Sequence, residues 1–205
     1  MYVPAAFAVP PSDVEQLLQH HGAADLITPT ASGLLATFLP FLWTGSSLQG
    51  HVARNNPHWS TPATGDSLVI VRGPDAYVTP RWYASKAEHG RVVPTWNYVT
   101  VHVHGRLVVH DDIDWLRSLV GRLTDKHEAF SPEPWAVDDA PERFVAGQLR
   151  AIVGVELLVD RIEAKAKLSQ NRPEADVEGV VAGLTERGDD VSAALVRDAS
   201  AARRT

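Results

Sequence analysis

Apolar and polar positions change their period several times along this chain. Over "SDVEQLLQHHG" at 12–22, Val14, Leu17, Leu18 and His21 fall on one side of a helix. Ser12 with Glu15 three residues later predicts a capping box, and Gly22 predicts the stop. Strand-like segments follow at 34–43, 47–53, 67–72, 76–79 and 92–109, separated by "TGSS", "NNP", "ATGDS", "RGPD" and "EHG". Helical spacing returns over 111–128, capped by an Asp, with Leu116, Leu119, Val120 and Leu123 as its stripe. The segment 141–150 predicts a short helix opened by a Pro. A long strand over 151–163 leads into "AKAKLSQNRP". The end of the chain reads as two short helices split at "RGDD", with Val177, Val180, Val181 and Leu184 on one stripe, and "AARRT" as a frayed end. Short strands joined by such turns predict a mainly β protein with peripheral helices (α+β), an antiparallel barrel or sandwich rather than βαβ units.

The stretch "VPTWNYVTVHVHG" at 93–105 carries the most chemistry. Strand side chains alternate faces, so Val99, Val101 and Val103 point one way and Trp96, Tyr98, Thr100, His102 and His104 the other. The valine face predicts core. The second face has neither the aliphatic residues of a core nor the Lys and Glu of a solvated surface, which suits a protein contact or the wall of a ligand cleft. His102 and His104, with His110 or an Asp of "HDD", have the spacing to reach one metal ion. No further ligand stands at a spacing that closes such a site, so no metal centre is expected. Trp43, Trp59, Trp82, Trp96, Tyr77, Tyr83 and Tyr98 crowd 43–98, either as an aromatic core or as a stacking surface for a flat ring.

Composition narrows the picture. The chain has 205 residues, 44% of them apolar, enough for one globular domain with a core of useful size. With no cysteine, disulfides, thiolate metal sites and a cysteine nucleophile are excluded. The net charge of −6 argues against nucleic-acid binding through a broad surface. "MYVPAAFAVPPS" lacks a basic start and is broken by prolines, so it does not read as a signal peptide. "LLATFLPFLW" is too short to span a bilayer, and a soluble, cytoplasmic protein is expected.

Two polar clusters stand out. His51, Arg54, Asn55 and Asn56 crowd one strand end, either as an ordinary polar turn or as a phosphate-holding one. "KAKLSQNRP" at 165–173 gathers Lys165, Lys167 and Arg172 with Ser169, Gln170 and Asn171, a density of donors suited to an anionic group or to a basic helix entry. There is no GxGxxG fingerprint, no Walker loop and no Gly-x-Ser-x-Gly elbow.

"MYVPAAF", "GHVARNNPHW", "GPDAYVTPRWY", "VPTWNYVTVHVHG" and "KLSQNRP", in that order, resemble the PaiB-type FMN-binding negative transcriptional regulators, relatives of the pyridoxamine phosphate oxidase group. The resemblance runs from residue 1 to about 185. It implies an FMN-binding split β-barrel over 1–172, a helical tail over 173–205 packed on it, and a homodimer with flavin at the subunit interface. It also implies negative control of transcription in bacteria. Carried over by position, the flavin contacts would be His51, Arg54, Asn55, Asn56, Thr79, Trp82, Lys86, Thr95, Trp96 and Asn97, with Lys167, Gln170 and Asn171 from the partner subunit. The chain departs from the pattern at Ala164 and Ala166, where a glycine and a bulky ring are expected, and at Thr79, where serine is usual. No obligatory acid or base stands out, and the flavin ring itself carries hydride and electrons. The competing functions are an FMN-dependent oxidoreductase of small molecules, or a binder of another flat ligand such as haem, contacted by His51, His102 and His104. Direct DNA contact is disfavoured by charge and by the lack of a reading helix, which leaves Lys165, Lys167 and Arg172 as the local basic patch.

Overall fold

The computed structural model describes residues 1–202. Its elements are α1 (Pro11–His20), β1 (Ala23–Thr30), β2 (Gly33–Trp43), β3 (Ser47–Ala53), β4 (Ser67–Val78), α2 (Ser85–His89), β5 (Thr95–His110), α3 (Ile113–Glu128), α4 (Glu142–Arg150), β6 (Ile152–Lys167), α5 (Glu174–Glu186) and α6 (Asp190–Ala202). The strands follow the order β1-β2-β3-β6-β5-β4 and close into a barrel through β1 and β4, which pair antiparallel at Asp25–Ile70, Leu26–Val69 and Ile27–Leu68. The fold is a mainly β split barrel with peripheral helices, as the turn-punctuated pattern predicts.

Several elements depart from the sequence reading. β1, "AADLITPT", was not predicted; its buried residues Ala24, Leu26, Thr28 and Thr30 alternate strictly, but two of the four are threonines. The segments 67–72 and 76–79 are one strand, β4, which runs through "RGPD". β6 continues to Lys167, so "AKAK" is strand. The capping box does not form: α1 begins at Pro11, and the Ser12 hydroxyl donates to Asp13 Oδ1 at 3.0 Å. Glu15 instead accepts from Trp43 Nε1 at 3.3 Å. Gly22 is not a left-handed stop, since it is absent from the glycines with positive φ. Asp112 caps α3 as expected, accepting from Trp115 N–H at 2.8 Å. The predicted fraying of "AARRT" falls partly on 203–205, outside the described residues; Ala201 and Ala202 are helical.

The chain forms two compact units, each made of interleaved segments. One comprises 11–71 and 102–162. Its core includes Leu26, Leu39, Leu48, Val69, Val103, Val153, Val155 and Leu157, with Leu116 and Leu119 of α3 and Leu149 of α4 also buried. β5 and β6 approach closely here because position 105 is Gly: a Cβ there would lie 1.9 Å from the Leu158 carbonyl oxygen. Trp115 of α3 rests in the same way on Gly154. The other unit comprises, among the described residues, 1–10, 72–101 and 163–202. Its core includes Val78, Tyr83, Val99, Val101, Val180, Leu184 and Val196.

Candidate functional site

β6 ends at Lys167, and the chain then makes a tight turn before Pro173 opens α5. Ser169 sits at φ +64°, the left-handed region that a non-glycine residue enters at a cost of roughly 1–3 kcal/mol. Buried hydrogen bonds hold it there. Asn97 Nδ2 donates to Ser169 Oγ at 3.0 Å, and Ser169 Oγ donates to Asn97 Oδ1 at 3.2 Å. Gln170 folds back on its own segment: Oε1 accepts from Leu168 N–H and Nε2 donates to the Ala166 carbonyl, both at 2.6 Å. Asn97 and Gln170, carried over as flavin contacts, therefore build the turn.

The end of β6 and the turn that follows it carry three cations. Lys167 Nζ donates to Thr95 Oγ1 and, at 2.8 Å, to the Trp96 carbonyl. Lys165 Nζ donates to the Tyr2 carbonyl at 3.2 Å and lies 5.4 Å from the Tyr98 ring centroid. The Arg172 guanidinium stacks 4.5 Å over Tyr83. Among the described residues no ion pair joins any of the three to a carboxylate. Burial, and then the charges of Lys165 and Arg172, push the Lys167 amine below its usual range. Like charges held together with hydrogen-bonding neighbours and no counter-ion fit a phosphate monoester such as that of FMN.

The structure distributes the remaining expected residues of this unit. Thr95, Trp96 and Asn97 meet Lys167 and Ser169. Trp96 is 54% exposed and its ring meets Tyr77 edge-on at 6.1 Å, while Tyr83 is buried, so the aromatic cluster divides between core and surface. Along β5 the valines are buried and Tyr98, Thr100, His102 and His104 are half-buried, which matches the two-faced pattern. The rings of His102 and His104 lie 6.4 Å apart. Trp82 does other work. A Cβ at Gly183 would lie 2.2 Å from its ring and one at Gly179 would lie 1.9 Å from its carbonyl oxygen, so it packs into a small-residue stripe of α5. Arg187 covers it at 4.6 Å. Thr79 closes its own turn by accepting from Arg81 N–H at 3.3 Å. Lys86 and Asn171 are exposed.

In the other unit the cluster at 51–56 has a different character. Arg54 donates to both carboxylate oxygens of Asp111, at 3.1 and 2.5 Å, and to the carbonyls of Arg150 at 2.8 Å and Ile152 at 3.1 Å. The hydrogen bond and charge of Asp111 hold the guanidinium firmly protonated, and Arg54 in turn holds the carboxyl below its usual range. Asn56 caps the turn at 57–59, accepting from His58 N–H at 2.9 Å and donating to Thr37 Oγ1 at 3.3 Å. Asn55 is exposed. His51 is half-buried, with Nδ1 enclosed and unpaired, and burial pushes its pKa down.

Two further polar centres lie outside the expected set. His58 is buried between Thr37 Oγ1 and Thr28 Oγ1, each 2.8 Å away, and Thr28 continues to Ser67 at 2.8 Å. His110 stacks on Trp115 at 4.0 Å and contacts Glu156 at 2.8 Å. Glu156 also accepts from Ser47 at 2.6 Å and Gln49 at 2.7 Å. Burial pushes that carboxyl up, but hydrogen bonds from Gln49, Ser47 and His110 outweigh it and leave the pKa lowered. His58 has only the bland sequence signal of a histidine after Asn-Pro; Glu156 has none beyond being an acid inside the apolar run 152–159.

The strands close into a six-stranded barrel with three cations at and just beyond the end of its last strand, and comparison with known proteins assigns the family. Residues 1–161 match the family described as "Putative FMN-binding domain"; the chain belongs to this family, and FMN is its cofactor. The chain is 32% identical over 190 residues to "Protease synthase and sporulation protein PAI 2" of Bacillus subtilis, covering 90% of this chain and 89% of that protein. A protein of the fungus Emericella nidulans is 31% identical over 170 residues, covering 70% and 68% of the two chains. The family resemblance seen in the sequence is thus correct, and its members extend beyond bacteria. The fold is shared with the FAD and haem binding protein from Mycobacterium smegmatis, at TM-score 0.58 and 18% identity, covering 85% of this chain and 78% of that one. Among the described residues no helix is long and apolar enough to cross a membrane.

Proposed function

We propose that this chain is an FMN-binding, homodimeric regulator that acts in negative control of transcription, with the flavin phosphate held on the turn at 165–172. The observation that carries the flavin part is the group of three cations with no carboxylate partner among the described residues. Lys167 and Arg172 make charge-assisted hydrogen bonds to the phosphate, with Lys165 adding charge behind them. Asn97, Ser169 and Gln170 keep the turn in shape. The exposed Trp96 and Tyr77 rings offer the flavin a flat apolar neighbour. When bound, the flavin ring supplies hydride and electron transfer. The site lies where two subunits meet, and the second copy brings the remaining ring contacts. The protein works in the cytoplasm.

The regulatory role draws its support from the family resemblance and from the relative bearing the name "Protease synthase and sporulation protein PAI 2". With a net charge of −6, control is exerted without broad DNA contact. Titration of the protein with FMN and with riboflavin, followed by flavin fluorescence, tests the binding: FMN saturates tightly and riboflavin, lacking phosphate, weakly. Equal affinity for both would remove the turn from the reading. A gel shift at physiological salt with tight, sequence-specific retardation would overturn the indirect mode.

A second reading, a flavin-dependent oxidoreductase or a haem binder, is favoured by the relative named as an FAD and haem binding protein. Bleaching of bound flavin by a reduced pyridine nucleotide supports the enzyme. A Soret band after haem addition supports haem binding.

A further inference from the structure

The first ten residues belong to the unit that carries the cationic turn, yet none of them is buried. Their backbone turns on itself: Phe7 N–H donates to the Pro4 carbonyl at 2.9 Å and Ala8 N–H to the Ala5 carbonyl at 3.3 Å. A segment with so little buried surface opens at low cost unless something fastens it. Its fastenings converge on the end of β6. Ala8 forms an isolated backbone bridge to Lys165. The Lys165 ammonium donates to the Tyr2 carbonyl at 3.2 Å. It also lies 5.7 Å from the Tyr2 ring centroid, 6.0 Å from that of Phe7 and 5.4 Å from that of Tyr98. The Met1 amino group meets Glu163 at 2.5 Å. Three rings and a carbonyl around one ammonium make a cage, since ring faces attract a cation within this range. Two of its walls, Tyr2 and Phe7, come from the first ten residues, and the third, Tyr98, from β5. Strand alternation puts Lys165 and Lys167 on the same face of β6. Burial, and then the charge of Lys165, push the Lys167 amine down, so the caged cation acts on its neighbour.

We propose that residues 1–8 are a strap that closes on the flavin phosphate site, with Tyr2, Phe7 and Tyr98 as positioning residues that hold Lys165 beside Lys167. The proposal rests on the reading of the turn as the phosphate site and adds the part of the chain that controls it. Closure and phosphate binding help each other. The cage keeps in place a cation that the phosphate needs. The phosphate in turn relieves the repulsion among Lys165, Lys167 and Arg172, which otherwise pushes the Lys165 side chain out of the cage and toward water. Linkage makes the effect reciprocal: the factor by which the closed strap tightens FMN is the factor by which FMN favours closure. Tyr2 is 82% exposed and forms the loose end of the strap, with its ring on Lys165 and the rest of its surface in water.

The test is hydrogen exchange of the full chain, read by mass spectrometry on the first peptide, without ligand and with saturating FMN or riboflavin. FMN slows exchange at the Phe7 and Ala8 amides about 10-fold, the size of a typical coupling between sites, and riboflavin does not. Lys165→Met abolishes this FMN-linked protection, and Lys165→Arg, which keeps a cation for the rings, restores it. In fluorescence titrations, Tyr2→Ala combined with Phe7→Ala raises the FMN dissociation constant by the same factor of about 10 and leaves that of riboflavin unchanged. Tyr2→Phe, which keeps the ring, binds FMN as the wild type does. Tyr2 is exposed, so Tyr2→Ala alone keeps the fold and shows part of the effect even where the double variant does not fold. Equal exchange with and without FMN, in a protein that binds FMN more tightly than riboflavin, overturns the strap and leaves the phosphate site standing. Equal affinity for FMN and riboflavin overturns the site and the strap with it. An equal loss of both flavins in the double variant overturns the positioning role, because the segment then supports the flavin ring or the fold.

Discussion

The clusters at 51–56 and 165–172 look alike in sequence, each setting basic residues among amides beside a strand end, yet they are opposites in the fold. Arg54 has a carboxylate, two carbonyls and the Trp59 ring around it, so its donors are engaged. Lys165, Lys167 and Arg172 have carbonyls, a hydroxyl and aromatic rings around them, but no counter-charge among the described residues. A cation is a ligand-binding candidate only when the fold leaves its charge uncompensated. That property lies in long-range partners, Asp111 above all, which is 57 positions from Arg54.

The comparison is most exposed to Lys167→Ala. Losing a charge-assisted hydrogen bond to phosphate costs about 2 kcal/mol, so FMN binding weakens about 30-fold. Riboflavin binding, measured by the same fluorescence titration, stays unchanged. An equal loss for both flavins would mean that Lys167 supports the ring or the fold and that the two clusters are not opposites in the proposed sense.

Next comes Gly183→Val, which sharpens the assignment of Trp82 to the engaged side. The new Cβ would start 2.2 Å from the indole, and overpacking of this kind costs about 1–3 kcal/mol. Thermal melts report the loss, while FMN affinity per folded molecule stays as in the wild type. A specific loss of FMN affinity would return Trp82 to the flavin. Arg54→Ala has a smaller effect on the melt, because the Arg54–Asp111 pair is largely solvent-exposed. It leaves FMN binding intact; weakened FMN binding would break the contrast from the other side.

How much of this was legible follows from range. The valine face of β5 and the stripe of α3 depend on period alone and appear as written. β1 was missed because Pro29 and two inward threonines mask its alternation; Thr28 meets His58, 30 positions away, and Thr30 donates to the Gly33 carbonyl across the turn. The Ser12 capping box failed because Pro11 starts the helix a residue earlier. At the site, the cation density of 165–172 was visible. The engagement of Gln170 with its own backbone, of Asn97 with Ser169 and of Trp82 with α5 was not, since each depends on a turn or partner that spacing does not encode.

The smallest expected effect is also the one whose sign separates the clusters most cleanly. Burial, then Lys165 and Arg172, hold the folded Lys167 amine below the ordinary 10.5. Between the folded and unfolded values the unfolded chain binds the extra proton, so stability from this group rises with pH. It is fully present above about 10.5 and is lost as pH falls through the lowered folded value. FMN affinity runs the other way, since deprotonated Lys167 no longer meets the phosphate charge. Melts of the apo protein and FMN titrations, taken in steps from about pH 8 to about pH 10, below ordinary lysine titration, should therefore slope in opposite directions. Lys167→Met flattens both slopes, whereas Arg54→Ala, which removes a guanidinium that stays charged throughout, changes neither. Parallel slopes, or opposite slopes that survive in Lys167→Met, would mean that another group titrates at the site and that the turn's charge is balanced in a way its neighbours do not reveal.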